Sequence, residues 1–416
     1  MPGDGTRTAT TRNRGPRPRL LDVTRLVSRF GKGPFTGVDR VEAAYLSEVI
    51  ERPEPAFGLL RSRYGFLLLD RSGLSALKRW LAAPETLVRR DLLSRLPPRR
   101  TADAQAIETA ARAVCIARCL PRQLRGRLRT AFPEGFDYFN TGHANLSPEV
   151  LSAMQGGESH VLVHDVIPLD HPQFQRPGTV ESFTRKMRAV SQGASRCIYS
   201  SRAARADAER HFAAWGRVPP AVVAPLGVDI EATAPGGERR RDLPADPYFL
   251  IVGTIEPRKN HVLLLDIWER LLAETGSAPT LCIVGRRGWN NAAVFARLDE
   301  AARWRGCVRE MGAVPDAELA ALMAGARAML FPSLAEGYGL PPIEAAALGV
   351  PVVCNTLPVY RETLGDIPIY ADASDQYQWV HTVRKLAEAS VPERKNSADG
   401  FRPPQWRDHF ATVFGN

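Results

Sequence analysis

The sequence predicts an α/β protein built on two doubly wound parallel sheets. Three observations carry this. Short apolar runs recur along the chain, each followed by a stretch of helical period. In the carboxyl-terminal half those runs are continuous rather than alternating, as in parallel strands covered on both faces. A Gly-, Pro- and Arg-rich stretch, Ala234 to Pro247, separates two such series.

Residues 1–18 are rich in Arg, Thr and Pro and read as a disordered basic tail. An apolar stretch opens at Leu20. A glycine-broken loop, Gly31 to Gly37, then leads into a helical pattern at Val38, Val41, Ala44, Tyr45 and Leu46. Residues 74–130 are polar, helical in period and broken at Pro97–Pro98, and read as a basic helical insert. Strands are expected at Phe136–Phe139, His160–His164, Cys197–Tyr199 and Ala221–Ala224, with helices over 179–192 and 202–213. Beyond the linker, strands are expected at Tyr248–Gly253, Thr280–Gly285, Val308–Gly312, Ala328–Pro332 and Val350–Cys354. Helices follow over 260–273, 291–304 and 316–324, from Pro341–Pro342, and near Val359–Leu364. Two such units leave a cleft between the carboxyl ends of their sheets, where open α/β sheets bind ligands.

The 416 residues suit two domains, or three, and 44% apolar with 24% charged residues excludes a mainly disordered chain. Phe66–Leu69 and Phe249–Val252 are among the longest apolar runs. They fall far short of the ~20 residues that span a bilayer, so no transmembrane segment is expected. The first twenty residues hold no apolar stretch, and no signal peptide is expected. Cys115 and Cys119 stand at helical spacing. Cys197, Cys282, Cys307 and Cys354 stand alone in or near apolar runs. All six read as buried free thiols in a reducing cytoplasm, and no Cys/His spacing suggests zinc.

The net charge of +10 is unevenly placed. Residues 1–135 hold 26 Lys+Arg and 13 Asp+Glu, a net +13, whereas residues 136–416 hold 29 and 32, a net −3. Within 76–130 there are 13 basic and 4 acidic residues. Such a half suits a polyanionic partner: a membrane surface, nucleic acid or a phosphorylated substrate. It also suits a merely solvated face. Nucleic acid is disfavoured, because aromatic residues are not interleaved with the arginines.

Four motifs can carry chemistry. Glu336-Gly337-Tyr338-Gly339-Leu340-Pro341-Pro342-Ile343-Glu344 follows a strand. Its glycines allow close backbone approach, its prolines open a helix, and that helix's N-terminus suits phosphate. Two carboxylates flank the turn, one on the loop and one expected in the first helical turn. Gly253-Thr254-Ile255-Glu256-Pro257-Arg258-Lys259-Asn260 is a second strand-to-helix turn, with two cations able to neutralise a leaving diphosphate. His164-Asp165 ends a strand, where a histidine can donate to a sugar hydroxyl or phosphate. Thr36-Gly37-Val38-Asp39-Arg40 opens a helix and can accept an anion. Each also has a bland reading as a glycine turn, a solvated basic turn or a structural histidine.

The stretch Gly253 to Cys354 resembles the carboxyl-terminal domain of the retaining glycosyltransferases of family 4, which have the GT-B fold. The resemblance rests on "GTIEPRKNH" (253–261), "IVGRRGW" (283–289), "MGAVPDAELAALMAGARAMLFPSLAEGYGLPPIEAAALGVPVV" (311–353) and the Glu336/Glu344 pair. More loosely, "TGVDRVEAAYL" (36–46), "VHDVIPLDHP" (163–172) and "SSRAARAD" (200–207) resemble the bacterial polysaccharide mannosyltransferase-like branch.

The resemblance implies two Rossmann-like domains. Residues 19–228 would be the acceptor side with the insert 74–130, and 229–247 the linker. Residues 248–404 would bind the nucleotide sugar, and 405–416 would form a helix crossing back. Glu336 matches the glutamate that approaches the donor sugar, and Glu344 the one that holds the ribose. Gly337, Tyr338, Gly339 and Leu340 match the turn whose amides meet sugar and phosphates. Lys259 matches the diphosphate-binding lysine, with Arg258 beside it. Thr254 stands where the family often has arginine. Val314 matches the contact to the base, Gly37 the amino-terminal glycine loop, and His164 the histidine near the reacting end of the sugar. Catalytic roles fall to Glu336, His164 and Lys259.

The expected reaction is metal-independent and uses no cofactor. It transfers a hexose, mannose by resemblance, from a nucleotide diphosphate sugar, GDP-mannose, to a hydroxyl of a lipid-linked oligosaccharide, at the inner face of the cytoplasmic membrane. Two alternatives stand beside it: a basic membrane- or nucleic-acid-docking adaptor with little catalysis, and a sugar-nucleotide epimerase or phosphorylase.

Overall fold

The computed structural model describes residues 17–33, 35–83, 87, 102–228, 244, 247–389 and 401–415. The expected tail, apart from Arg17 and Pro18, lies outside these residues. So do Pro97–Pro98 and, apart from Pro244 and Pro247, the linker 229–247.

The first sheet has eight strands: β1 (Arg19–Asp22), β2 (Ala56–Ser62), β3 (Gly65–Asp70), β4 (Ala117–Cys119), β5 (Asp137–Asn140), β6 (Glu158–Val163), β7 (Arg196–Tyr199) and β8 (Ala221–Val223). Their order is β4-β3-β2-β1-β5-β6-β7-β8. β3 runs antiparallel to both neighbours, and the remaining pairings are parallel.

The helices of this domain are α1 (Thr24–Arg29), α2 (Gly37–Glu51), α3 (Arg71–Ala82), α4 (Ala102–Val114), α5 (Leu124–Ala131), α6 (Pro148–Ala153), α7 (Ile167–Asp170), α8 (Thr179–Gly193) and α9 (Arg202–Ala214). The basic stretch 74–130 is therefore not purely helical. It carries the edge strand β4 between α4 and α5, and Cys119 lies on that strand, so the helical spacing read from Cys115 and Cys119 does not hold. These two thiols are half-buried, whereas Cys197, Cys282, Cys307 and Cys354 are buried; all six are free.

The second sheet is all parallel: β9 (Tyr248–Val252), β10 (Thr280–Val284), β11 (Val308–Gly312), β12 (Ala328–Phe331), β13 (Val352–Cys354) and β14 (Ile369–Tyr370). Their order is β11-β10-β9-β12-β13-β14, so the winding reverses between β9 and β12. α10 (His261–Thr275), α11 (Ala292–Asp299), α12 (Asp316–Gly325), α13 (Leu340–Ala347), α14 (Pro358–Leu364) and α15 (Gln376–Glu388) connect and cover the strands. β9 is buried at all five positions, which is why it reads as a continuous apolar run.

α16 (Trp406–Phe414) lies against the first domain. His409 is buried there. It donates from Nδ1 to the Ala224 carbonyl at 3.0 Å and accepts at Nε2 from the Tyr45 hydroxyl at 2.8 Å. Phe414 meets Phe139 edge to face at 4.9 Å, and the Arg19 guanidinium covers the Phe414 ring at 4.2 Å. One apolar cluster runs through both domains, and each sheet adds a second cluster of its own.

Candidate active site between the two domains

A cleft of about 400 Å³ lies where the carboxyl ends of the two sheets face each other. All twelve residues singled out from the sequence line it: Gly37, His164, Thr254, Arg258, Lys259, Val314, Glu336, Gly337, Tyr338, Gly339, Leu340 and Glu344. The topology explains the convergence. Gly253 follows β9 and Glu336 follows β12, the strands between which the sheet reverses, so their outgoing loops part and leave a crevice.

Two hydrogen bonds tie those loops together. The Leu334 amide donates to the Arg258 carbonyl at 2.7 Å, and Asn260 Nδ2 donates to the Pro332 carbonyl at 3.2 Å. Asn260 takes a left-handed conformation, φ 57°, between the short turn Pro257–Lys259 and α10. This delivers both cations to one carboxylate. Arg258 Nη1 lies 2.8 Å from Glu336 Oε2, and Lys259 Nζ contacts Glu336 Oε1. Ser333 donates to the same carboxylate at 2.9 Å. Arg258 also pairs through Nε with Glu256 at 2.7 Å.

Burial by itself would raise the Glu336 carboxyl, but Lys259, Arg258 and the Ser333 hydroxyl reverse the effect and hold it down at about 2. Glu336 is therefore ionised at neutral pH. Burial lowers the Lys259 ammonium, and Glu336 opposes that shift. One of the three Lys259 donors points at Glu336, which leaves others for an incoming anion.

The turn after Glu336 has no room for side chains at its glycines. A Cβ on Gly337 would lie 2.9 Å from both Asp165 Oδ2 and the His164 carbonyl, across the domain boundary. Gly339 has φ +86°, and a Cβ there would lie 2.8 Å from the Tyr360 ring. The Tyr338 hydroxyl donates to the Leu226 carbonyl at 3.1 Å, a second contact between domains. Leu340 opens α13, with the prolines in its first turn. Glu344 lies beyond that first turn, a correction to the sequence expectation. Its carboxylate meets Arg40 of α2 at 2.6 Å.

From the first domain, His164 is buried and donates from Nε2 to the Thr141 carbonyl at 2.7 Å, leaving Nδ1 as an acceptor. Burial lowers its pKa to about 4, so the ring is neutral. Burial raises the neighbouring Asp165, and Arg258 pulls it back. Gly37 begins α2, and a Cβ there would lie 3.7 Å from Leu340 Cδ1. Its loop is held by buried Asp39, which accepts from the Thr36 amide at 2.9 Å, Arg25 Nε at 2.9 Å and Arg29 Nε at 3.1 Å. Burial would raise Asp39, but the Thr36 hydrogen bonds and the two arginines lower it.

The sequence motifs contained Arg40, Asp39, Asp165 and Arg286 without assigning them a role. The signal for Asp39 was present: Thr36 with an acid three residues later is a capping box. Ser333 and Glu256 carried no comparable signal. Among the described residues, one group brings three possible metal-ligating atoms together: Asp137, Glu158 and His160. It lies at the amino-terminal ends of β5 and β6, away from the cleft, and Arg17 pairs with both of its carboxylates.

Residues 238–399 match the family of glycosyl transferases group 1. The chain is 31% identical over 237 residues to the serotype-specific mannosyltransferase WbdA of Escherichia coli. That match covers 53% of this chain and 29% of WbdA. It is 41% identical over 128 residues to the O-antigen chain mannosyltransferase B of Escherichia coli, covering 31% of this chain and 33% of that protein. The chain thus spans about a third of the length of these curated relatives.

Solved structures share the fold over nearly the whole chain. Anabaena HepE in complex with UDP and glucose has a TM-score of 0.60 at 13% identity, covering 96% of this chain and 97% of HepE. WaaG, a glycosyltransferase involved in lipopolysaccharide biosynthesis, has a TM-score of 0.58 at 15% identity, covering 94% and 95%. The architecture is GT-B: the carboxyl-terminal domain forms one wall of the cleft and the amino-terminal domain the other. No helix among the described residues is long and apolar enough to cross a membrane.

Proposed function

We propose that this protein is a retaining, metal-independent glycosyltransferase of family 4. In this reading it moves mannose from GDP-mannose to a hydroxyl of a lipid-linked saccharide in surface polysaccharide synthesis, at the inner face of the cytoplasmic membrane. The observation that carries the reading is Glu336, a buried carboxylate held ionised by Arg258 and Lys259 in a cleft walled by both domains. The mannosyl assignment draws its support from the mannosyltransferases to which the chain is similar.

The chemistry follows from charge. Breaking the anomeric bond makes the sugar positive and the leaving diphosphate negative. Glu336 offers its anion to the first by analogy with the carboxylates of glycoside hydrolysis. The remaining donors of Lys259, the Arg258 guanidinium and the α13 N-terminus act on the second without a metal ion. Glu344 takes the ribose, and Val314 the edge of the base. His164, neutral and donating to Thr141, presents Nδ1 to the sugar. The departing phosphate oxygen removes the acceptor's proton on the same face, which preserves the anomeric configuration.

The test is a thermal-shift series with GDP, UDP, dTDP and ADP without metal, followed by product analysis with the matching sugar nucleotide. A ligand of the folded state raises stability as RT ln(1 + [L]/Kd). A shift selective for GDP, lost in Lys259→Ala, and an α-mannosyl product from GDP-mannose are the expected results. A shift with none of the four, or a product of inverted configuration, overturns the reading.

A further inference from the structure

The structure sorts the arginines that make the first 135 residues basic. Arg19, Arg25, Arg29, Arg52 and Arg112 each have a carboxylate within 3.1 Å. Arg122, Arg125, Arg127 and Arg129 are exposed and have no carboxylate partner among the described residues. Residues 109–133 contain six arginines and no acidic residue. Four of the six therefore form a free positive surface on α5 and the 3₁₀ turn before it, Pro121–Gln123. Leu124 and Leu128 point into the core, which sets Arg122, Arg125 and Arg129, three and four residues apart, on the outer side.

Apolar side chains adjoin this stripe. β4 is the edge strand, and its alternation sets Ala117 and Cys119 against the core while turning Ile116, Arg118 and Leu120 outward. Ile116 is 52% exposed and Leu120 57%. Tyr64, 46% exposed, tips the β2–β3 hairpin. A Cβ on the next residue, Gly65, would lie 3.2 Å from Leu120 Cα, so hairpin tip and strand end are in contact. Three of the nine exposed large hydrophobic side chains among the described residues thus fall on one edge, beside its free arginines.

We infer that this edge is a docking surface for an anionic lipid bilayer. Its sign suits acidic headgroups, and Leu120, Ile116 and Tyr64 suit the boundary between headgroups and acyl chains. A nucleic acid would want stacked rings along the arginine stripe, and Tyr64 is the one aromatic side chain among those exposed here. The edge lies at the cleft's end of the sheet. The Arg61 amide, three residues before Tyr64, donates to Thr24 Oγ1 at 2.9 Å, just past the carboxyl end of β1. Docking there holds the mouth of the cleft at headgroup level. The use of this arrangement, access to a lipid-linked acceptor, rests on the function proposed above.

The test is co-sedimentation of the full chain with phosphatidylcholine vesicles, with and without phosphatidylglycerol. Binding is expected only with phosphatidylglycerol, and it weakens as salt rises. At about fivefold per arginine near the surface, the triple variant Arg122→Ala/Arg125→Ala/Arg129→Ala binds about a hundredfold more weakly. Leu120→Ser weakens the salt-resistant part. Thermal melts establish that the variants fold. Indifference of the wild type to phosphatidylglycerol, or wild-type binding by the triple variant, overturns the inference. Capture of RNA in place of vesicles, lost in the same triple variant, overturns it in favour of nucleic acid. The nucleoside diphosphate shift is read on the same samples. Its loss in the wild type counts against the proposed function alone, and lipid indifference with the shift intact counts against docking alone.

Discussion

Arg40 on α2 and Glu344 on α13 meet at 2.6 Å and bridge the two domains across the cleft. Glu344 is also the carboxylate assigned to the ribose, so the guanidinium competes for the oxygens a nucleotide needs. The Arg40 side chain is 37% exposed, and such a pair contributes no more than about 1 kcal/mol. Arg40→Ala is expected to tighten nucleoside diphosphate binding by up to about fivefold in titration calorimetry. Weaker binding in this variant means that Arg40 itself holds the phosphates.

Glu336 is enclosed by two cations, so its removal acts on both chemistry and stability. Glu336→Gln is expected to lower the transfer rate by at least about a hundredfold, comparable to losing one preorganised electrostatic contact. It also leaves Lys259 and Arg258 buried against a neutral amide, which costs about 3 kcal/mol of stability. Adding Lys259→Met should recover part of the melting temperature and none of the rate. Transfer by Glu336→Gln at the wild-type rate removes Glu336 from the mechanism.

Gly337→Ala separates closure from folding. The added methyl would sit 2.9 Å from Asp165 Oδ2 and the His164 carbonyl, both on the opposite wall of the cleft. Transfer is expected to fall by about tenfold or more as the domains are held apart, since small displacements of reacting groups are costly. The melting temperature should fall only modestly, because each sheet keeps an apolar cluster of its own when the shared one loosens. A large drop in melting temperature with normal kcat would show a purely local clash.

Five histidines are held neutral by burial: His143 and His261 at about 3, and His160, His164 and His409 at about 4, all from 6.5. Between 6.5 and those values the unfolded chain binds more protons than the folded one. Their stabilisation is complete above 6.5 and is lost as the pH falls toward 4. Asp22 and Glu42 act in the opposite sense. Burial raises both, so each favours folding at low pH and opposes it at neutral pH. The melting temperature should fall between about pH 7 and pH 5, and Glu42→Gln should raise it near pH 7 by removing a carboxyl that ionises more readily in the unfolded chain while keeping an acceptor for the Leu26 amide. A melting temperature that stays independent of pH over that range in the Glu42→Gln variant, where the larger opposing carboxyl is gone, is incompatible with neutral buried histidines.

Much of the second domain was legible in the sequence, because its inner strands β9, β10, β12 and β13 are covered on both faces and read as apolar runs between turns, while the edge strand β11 is partly exposed. β9 was expected one residue too long, over Tyr248–Gly253, since Gly253 already leaves the strand. The first domain was less legible. β2 and β3 form an antiparallel hairpin buried on both faces, so no alternation marks it. β4 has three residues, too few for a period. α15 carries Trp379, Val380 and Val383 inward, but it lies beyond the last strand-to-helix unit that the sequence reading followed.

The sequence by itself determined the two α/β units, the turns that end their strands, and the residue types that reach the cleft: an acid after β12, two cations after β9, a histidine after β6 and a glycine at the start of α2. Local chemistry suffices for that, because strand ends and helix starts are written in neighbouring residues. Tertiary structure alone decided the pairings. That Arg258 and Lys259 both face Glu336, 78 and 77 residues away, follows from a sheet order that sets β9 beside β12. That Arg40 meets Glu344, and that Arg122, Arg125 and Arg129 meet no carboxylate among the described residues, follows from which faces the two domains bury. Such contacts join residues far apart in the chain, and no spacing along it encodes them.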